Sequence, residues 1–374
     1  GTNISEEDML GYFKKIDLDY DAETKEVIAP TFRHDLFRLA DLAEEVARFF
    51  GYDNIPTTLP SGEATTGKLP FKLRIEQVAS DIAEFCGFSQ GMSYSFESPK
   101  VFDKLLLPED SKLRNAISIM NPLGEDYSIM RTTSLNGMLT SLATNYNRRN
   151  EEAALFEIGK IFIPKSLPIT ELPDEPKKLT LGMYGKGIDF YTIKGIIEHL
   201  FDVLGMSNKV EFKPNTEITW MHPGRTADIC INGENAGYIG ELHPVVGDNY
   251  SIETRVYIAV VDFDEIVKNT SLVTEYKPLP KYPAITRDIS MVIKDTVFVK
   301  DIEKVISENG GKLIESIKLF DVYQGSQIER GYKSVSYSIT FRAEDRTLVD
   351  DDVNPAMKKI LSALEKEFGA NLRE

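Results

Sequence analysis

Four carboxylates crowd one short stretch of this chain. In RHDLFRLADLAEEVARFFGYDNIP, residues 33–56, Asp35, Asp41, Glu44 and Glu45 fall within eleven positions. The last three follow i, i+3, i+4 spacing, which on a helix of 3.6 residues per turn puts them on one face. Oxygen-only ligands of this kind suit a hard cation such as Mg2+, with water completing the shell. The same residues also read as a solvated face, with Asp35 as an N-cap and Glu44 pairing with Arg48 one turn on. Spacing alone leaves both readings open. A second set lies near the C-terminus. FDVYQG puts Asp321 and Tyr323 on the same side of a strand, since alternate residues point the same way, and Ser334 begins a neighbouring strand run. A carboxylate acceptor, an aromatic ring and a hydroxyl can together stack on and hydrogen-bond one unpaired base. A sheet face with ordinary cross-strand pairs is the plainer alternative.

Other chemistry is not announced. No GxxxxGK[ST], HExxH, GxSxG or complete GxGxxG occurs. His34, His199, His222 and His243 lie too far apart in sequence to suggest a local metal site. Gly237 and Gly240 in GYIGELHP read as a closely packed hairpin strand. Cys86 and Cys230 stand alone without a CxxC, which argues for a reducing compartment and for two small core residues. The longest purely apolar run near RVYIAVVDF, Val256 to Val261, is far too short to cross a bilayer. With no leader or lipidation motif, the expected setting is cytoplasmic, with no membrane partner. The first residue is Gly rather than Met, so the natural chain is expected to begin upstream.

The net charge of −16 argues against a nucleic-acid partner until its distribution is examined. Residues 278–374 carry 15 Lys/Arg against 16 Asp/Glu, so they are nearly neutral and the rest is strongly acidic. A phosphate backbone is repelled least by the C-terminal hundred residues.

A length of 374 residues suggests two or three domains, and the pattern divides into three segments. Residues 1–67 begin with SEED, a capping box ahead of Met9, Leu10 and Phe13. They continue through a short hairpin in YDAETKEVIAP to a helix with Leu39, Leu42, Val46 and Phe49 or Phe50 as its apolar stripe. This is a small winged-helix-like module, closed by the linker GYDNIPTTLPSGEATTG. Residues 68–277 mix amphipathic helices with strands such as ALFEIGKIFI and KLTLGMYG, and an Asn232-Gly233 turn marks a hairpin. A largely antiparallel sheet flanked by helices is expected. Residues 278–374 run strand, helix, strand, strand, helix, strand, the ferredoxin-like βαββαβ order.

These stretches resemble a known family. APTFRHDLFRLADLAEEVARFFGYDNIPTTLP is similar to the signature of bacterial phenylalanyl-tRNA synthetase β subunits, and LPKYPAITRDISMVI resembles the opening of their ferredoxin-fold anticodon-binding domain. NPLGEDYSIMRTTSLNGML, LFEIGKIF, HPGRTADI and IGELHP resemble their synthetase-like core. The resemblance covers essentially the whole chain in order, and the motifs are specific only together. Family β chains are much longer, with a tRNA-binding module and an editing domain upstream, so the resemblance implies a C-terminal half.

The resemblance carries further implications. Asp35, Asp41, Glu44 and Glu45 match ligands of a Mg2+ site completed by the α subunit, so this piece alone would hold the ion weakly while helping to form a subunit junction. The middle segment matches a class II synthetase core that has lost its chemistry. Active members hold the ATP α-phosphate with an arginine at the strand where this chain has Phe156 and Glu157, and YIGELHPVVG lacks their γ-phosphate arginine. Without cations against the triphosphate, ATP would be used by the whole enzyme but not bound here, and no catalytic residue is expected. Tyr323 matches the ring that stacks on an anticodon base, Asp321 the base-edge acceptor and Ser334 the hydroxyl. Ser290 and Arg373 match less closely, and Lys281, Arg287 and Lys333 are candidates for phosphate contact. The expected whole is an α+β chain in an (αβ)2 heterotetramer that binds tRNA(Phe) and makes Phe-tRNA. Readings from other classes are a standalone RNA-binding protein acting without α, and an independent adenylating enzyme.

Overall fold

The computed structural model describes residues 1–64, 66–276 and 278–373. Lys277, where a segment boundary was expected, and Thr65 in the expected linker lie outside the described residues. The described chain groups into two compact units. One comprises Gly1–Ile196, Pro214–Asp228 and Ala236–Lys268; the other comprises Ile197–Lys213, Ile229–Asn235 and Asn269–Glu374.

The first unit opens with helix α1 (Glu6–Lys14), strands β1 (Asp19–Asp21) and β2 (Glu26–Ile28), and helix α2 (Leu39–Phe50). Ser5 caps α1 as its sequence predicts, its hydroxyl accepting from the Asp8 N–H at 3.1 Å. β1 and β2 pair antiparallel as the expected hairpin. Phe13, Leu18 and Val46 make a small core, with Leu36 and Leu42 packed against it. Leu39 does not belong to that stripe. It is the first helical residue and is 83% exposed, and Leu36, in the chain entering the helix, joins the cluster instead.

Next come α3 (Phe71–Phe85), β3 (Ser89–Gln90), β4 (Phe96–Glu97), α4 (Val101–Lys104), β5 (Ile129–Met130), α5 (Leu135–Asn147), β6 (Ala153–Lys160) and β7 (Lys177–Tyr184). They are followed by α6 (Phe190–Val203), β8 (Val210–Pro214), β9 (Met221–Ile231), β10 (Glu234–Leu242), α7 (Pro244–Asn249), β11 (Tyr257–Asp262) and α8 (Phe263–Asn269). Within this unit the strands of the main sheet lie in the order β3-β6-β7-β11-β10-β9. β3 runs parallel to β6, whereas β6, β7, β11 and β10 pair antiparallel in turn. Leu135, Met138, Leu139 and Leu142 give α5 a buried stripe at i, i+3, i+4 and i+7. That stripe approaches β7 closely: a Cβ on Gly182 would stand 2.9 Å from both Leu142 and Met138. Asn232 and Gly233 take φ of 52° and 87°, the positive values that a two-residue turn requires. Gly240 is required by crowding, since a Cβ there would lie 2.4 Å from the Arg225 carbonyl oxygen. At Gly237 the corresponding distance to the Val260 carbonyl oxygen is 2.0 Å, which bears out the close-packed strand.

The second unit contains β12 (Ile285–Lys294), α9 (Val299–Gly310), β13 (Ile314–Tyr323), β14 (Tyr332–Phe341), α10 (Asp350–Phe368) and β15 (Asn371–Leu372). The four strands lie in the order β13-β14-β12-β15 and pair antiparallel throughout. Alternation sorts each strand: Ile289, Met291 and Ile293 of β12 and Val335, Tyr337, Ile339 and Phe341 of β14 share a core with Ile302, Ile306, Ile360 and Leu364 of the helices. The intervening serines therefore point to the opposite face. Among the described residues, no helix is long and apolar enough to cross a membrane.

Candidate nucleic-acid interface

The residues expected to contact a base lie on two rungs of the four-stranded sheet that are separated by the rung Val322–Val335–Met291. Asp321 of β13 is paired with Ser336 of β14, and Ser336 with Ser290 of β12. Arg373 follows β15 and donates its backbone N–H to the Ser290 carbonyl at 2.9 Å, which completes the rung. Two rungs on, Tyr323 is paired with Ser334 and Ser334 with Val292. An irregularity between Leu319 and Asp321 shifts β13 by one residue, so that Asp321 and Tyr323 share the serine face. Ser334 and Ser336 are only 2% and 5% exposed, and the Ser290 and Ser336 hydroxyls are hydrogen-bonded at 2.8 Å. Asp321 stands exposed at one end of its rung. Sequence reasoning missed Ser336, although the alternation Ser334, Ser336, Ser338 was there to find it.

Two of the proposed phosphate contacts are otherwise engaged. Lys333 donates to the Val297 carbonyl, and burial lowers its pKa from the ordinary lysine value. Arg287 is paired with Asp350. Lys281 is exposed.

At the acidic helix, the chain supplies its own cations. Arg33 makes a two-bond fork with Asp35, at 2.9 and 2.6 Å, and reaches Glu45 at 2.7 Å. Arg48 pairs with Glu45 rather than with Glu44, because Glu45 is the inward-turned carboxylate and Glu44 is exposed. The hydrogen bonds from Arg33 hold the Asp35 carboxyl down to about 2. Those from Arg48 first, then Arg33, hold Glu45 below its usual range. Asp41 is spent on the helix start, accepting from the N–H groups of Phe37 at 2.8 Å and Arg38 at 2.7 Å. The N-cap is therefore Arg38, not Asp35. Among the described residues, no group of three or more His, Cys, Asp or Glu is placed to hold a metal ion. As arranged here, these four carboxylates by themselves do not fit a Mg2+ ion.

Against the central sheet stands a residue that sequence reasoning did not place. Glu157 on β6 has an arginine beside it after all: Arg131, distant in sequence, lies 2.8 Å away. Its other bonds run to the Ser93 hydroxyl at 2.9 Å and the Lys160 carbonyl at 2.7 Å, and both members of the pair are buried. No local motif signals this contact. Nearby Glu97 is also buried, one of its oxygens has no partner, and burial pushes its carboxyl up to about 7.

Comparison with known proteins follows this geometry. Residues 55–263 match the family described as the phenylalanyl tRNA synthetase beta chain CLM domain, residues 280–373 the ferredoxin-fold anticodon binding domain, and residues 1–52 the tRNA synthetase B5 domain. The phenylalanine–tRNA ligase beta subunit of Clostridium tetani is 46% identical over 375 residues, taking in 100% of this chain and 47% of that one. The corresponding subunit of Clostridium acetobutylicum is 46% identical over 376 residues, with the same shares. That of Moorella thermoacetica is 36% identical over 385 residues, again covering 100% and 47%. The class is thus a tRNA synthetase chain that carries a ferredoxin-fold anticodon-binding domain. The chain belongs to the phenylalanyl-tRNA synthetase beta chain family. It spans about half the length of the curated relatives it matches.

Proposed function

We propose that this chain is the C-terminal part of the β subunit of a phenylalanine–tRNA ligase, and that it binds rather than catalyses. In this reading the whole enzyme, an (αβ)2 heterotetramer in the cytoplasm, joins phenylalanine to tRNA(Phe) at the expense of ATP. Residues 1–67 form a winged-helix-like module that faces the α subunit. Residues 68–277 form a class II-like core without active chemistry, and residues 278–374 read the anticodon.

The observation that carries the proposal is the rung Asp321–Ser336–Ser290–Arg373 with Tyr323 beside it. An exposed carboxylate accepts N–H groups from a base edge and an aromatic ring stacks on a base, while the hydrogen-bonded Ser290 and Ser336 hydroxyls stand between Asp321 and Arg373 on the rung. A near-neutral domain adds little long-range attraction, so contact chemistry carries the selection.

Support for the α-facing role comes from apolar exposure beside the acidic helix. Phe37 and Leu39 are each 83% exposed and Phe32 is 65% exposed, an arrangement suited to burial against another subunit. The whole ligase uses Mg2+, and in this chain Asp35 and Glu45 are already paired with Arg33 and Arg48. In the central domain, Arg131 is buried and its bonds are spent on Glu157, Ser93 and Lys160, which leaves it poorly placed to meet a triphosphate.

The test uses the assembled enzyme. Tyr323→Ala should lower tRNA charging about tenfold, the scale of one lost base–aromatic stack, and leave phenylalanine-dependent pyrophosphate exchange intact. Equal loss of both activities would refute the anticodon assignment. Pyrophosphate exchange by this chain alone would refute the non-catalytic reading.

A further inference from the structure

We infer that Gly325 is a positioning residue for the base-reading face: its missing side chain is what lets the Tyr323 ring lie where a base meets it. This rests on the anticodon reading above and adds a residue to it.

Tyr323 ends β13, and the loop to β14 begins immediately after it. A Cβ built on Gly325 would stand 2.1 Å from the Tyr323 hydroxyl oxygen, 2.3 Å from Cζ and 2.9 Å from Cε2. The ring therefore folds back onto the Gly325 backbone, in space that any side chain would fill. The backbone conformation is not what demands glycine, since Gly325 is absent from the residues with positive φ. The demand comes from the ring.

Either the ring or the loop must yield when that space is filled, and the loop is tied at several points. The Ile328 N–H donates to the Gly325 carbonyl at 2.9 Å, closing a turn, and the Tyr332 N–H donates to the Glu329 carbonyl at 3.1 Å. From the far edge of the sheet, the Arg373 guanidinium donates to Gln327 Oε1 at 3.3 Å. The free end of a tyrosine turns about its side-chain bonds far more easily than this loop moves. A methyl group at position 325 thus swings the ring out of the place it holds against the Gly325 backbone. A stacking platform works only when held in place, so the displaced ring loses its contact with the base.

The experiment is equilibrium binding of fluorescently labelled tRNA(Phe) to the whole chain at low salt, with Tyr323→Ala, Gly325→Ala and the double variant alongside the wild type. Gly325→Ala should weaken binding by about tenfold, as Tyr323→Ala does. In the Tyr323→Ala background, Gly325→Ala should change nothing further, because the two changes remove the same contact. General damage to the domain would instead add to the loss. Wild-type binding by Gly325→Ala while Tyr323→Ala weakens it would overturn the positioning role. No effect of Tyr323→Ala would overturn the anticodon reading itself. Additive losses would also count against the inference.

Discussion

Arg131 and Glu157 form an ion pair at 2.8 Å with only 5% and 8% of their side chains exposed. Each is held further, Arg131 by the Lys160 carbonyl and both residues by the Ser93 hydroxyl. A buried pair of this kind is costly to break from one side, because the remaining charge stays desolvated. Arg131→Met should therefore destabilise the first unit by about 3–5 kcal/mol in urea unfolding. Adding Glu157→Leu should recover much of that loss. If Arg131→Met alone were neutral, the pair would have to be solvated.

The buried carboxyl of Glu97 predicts a pH dependence. Its folded-state value, about 7, lies above the ordinary 4.5, so the folded state binds the extra proton. Stability should thus fall as pH rises from about 4.5 to about 7 and level off above that. Glu97→Gln keeps the shape and removes the titration. At pH 8 the variant should be more stable than the wild type, by up to about 3 kcal/mol, and the gap should close near pH 4.5. Parallel melting curves across that range would contradict the assignment.

At the acidic helix, Arg33 and Arg48 already neutralise Asp35 and Glu45. Removing divalent ions with EDTA should leave the melting temperature of this chain unchanged. Arg33→Met should lower it and make it respond to added Mg2+, because two carboxylates then lack a counter-charge. In the assembled enzyme, the double change Asp41→Ala with Glu45→Ala should impair association with α, read by co-purification. Stoichiometric assembly of that variant would show that these carboxylates serve the fold of this chain and not a junction with α.

Two glycines should respond in opposite directions to the same substitution. Gly240→Ala forces a methyl group to 2.4 Å from the Arg225 carbonyl oxygen and should cost about 1–3 kcal/mol. Gly11 sits inside α1 with nothing within 4 Å of its would-be Cβ. Gly11→Ala should stabilise by about 0.5–1 kcal/mol, through helix propensity alone. Chemical denaturation of both variants decides the point.

What the chain shows by its order of residues is whatever depends on neighbours in sequence. Cap spacing located α1, alternation and order gave the βαββαβ pattern of the last hundred residues, and the Asn232-Gly233 turn announced its hairpin. The periodic strand FDVYQG likewise put Asp321 and Tyr323 on one side, since the two-residue repeat of a strand is local physics.

The rest was decided by distance in space. No spacing rule relates Arg131 to Glu157, Arg33 to Glu45, or Arg373 to Gln327, because each pair meets only when separate elements pack. Helix periodicity put Glu44 and Glu45 on the same face, yet only packing could turn one inward to two arginines and leave the other in water. The sequence by itself determined which groups this protein can offer and along which elements they repeat. Tertiary structure alone decided which charges are already spent on one another, because desolvation and pairing depend on where the chain folds back.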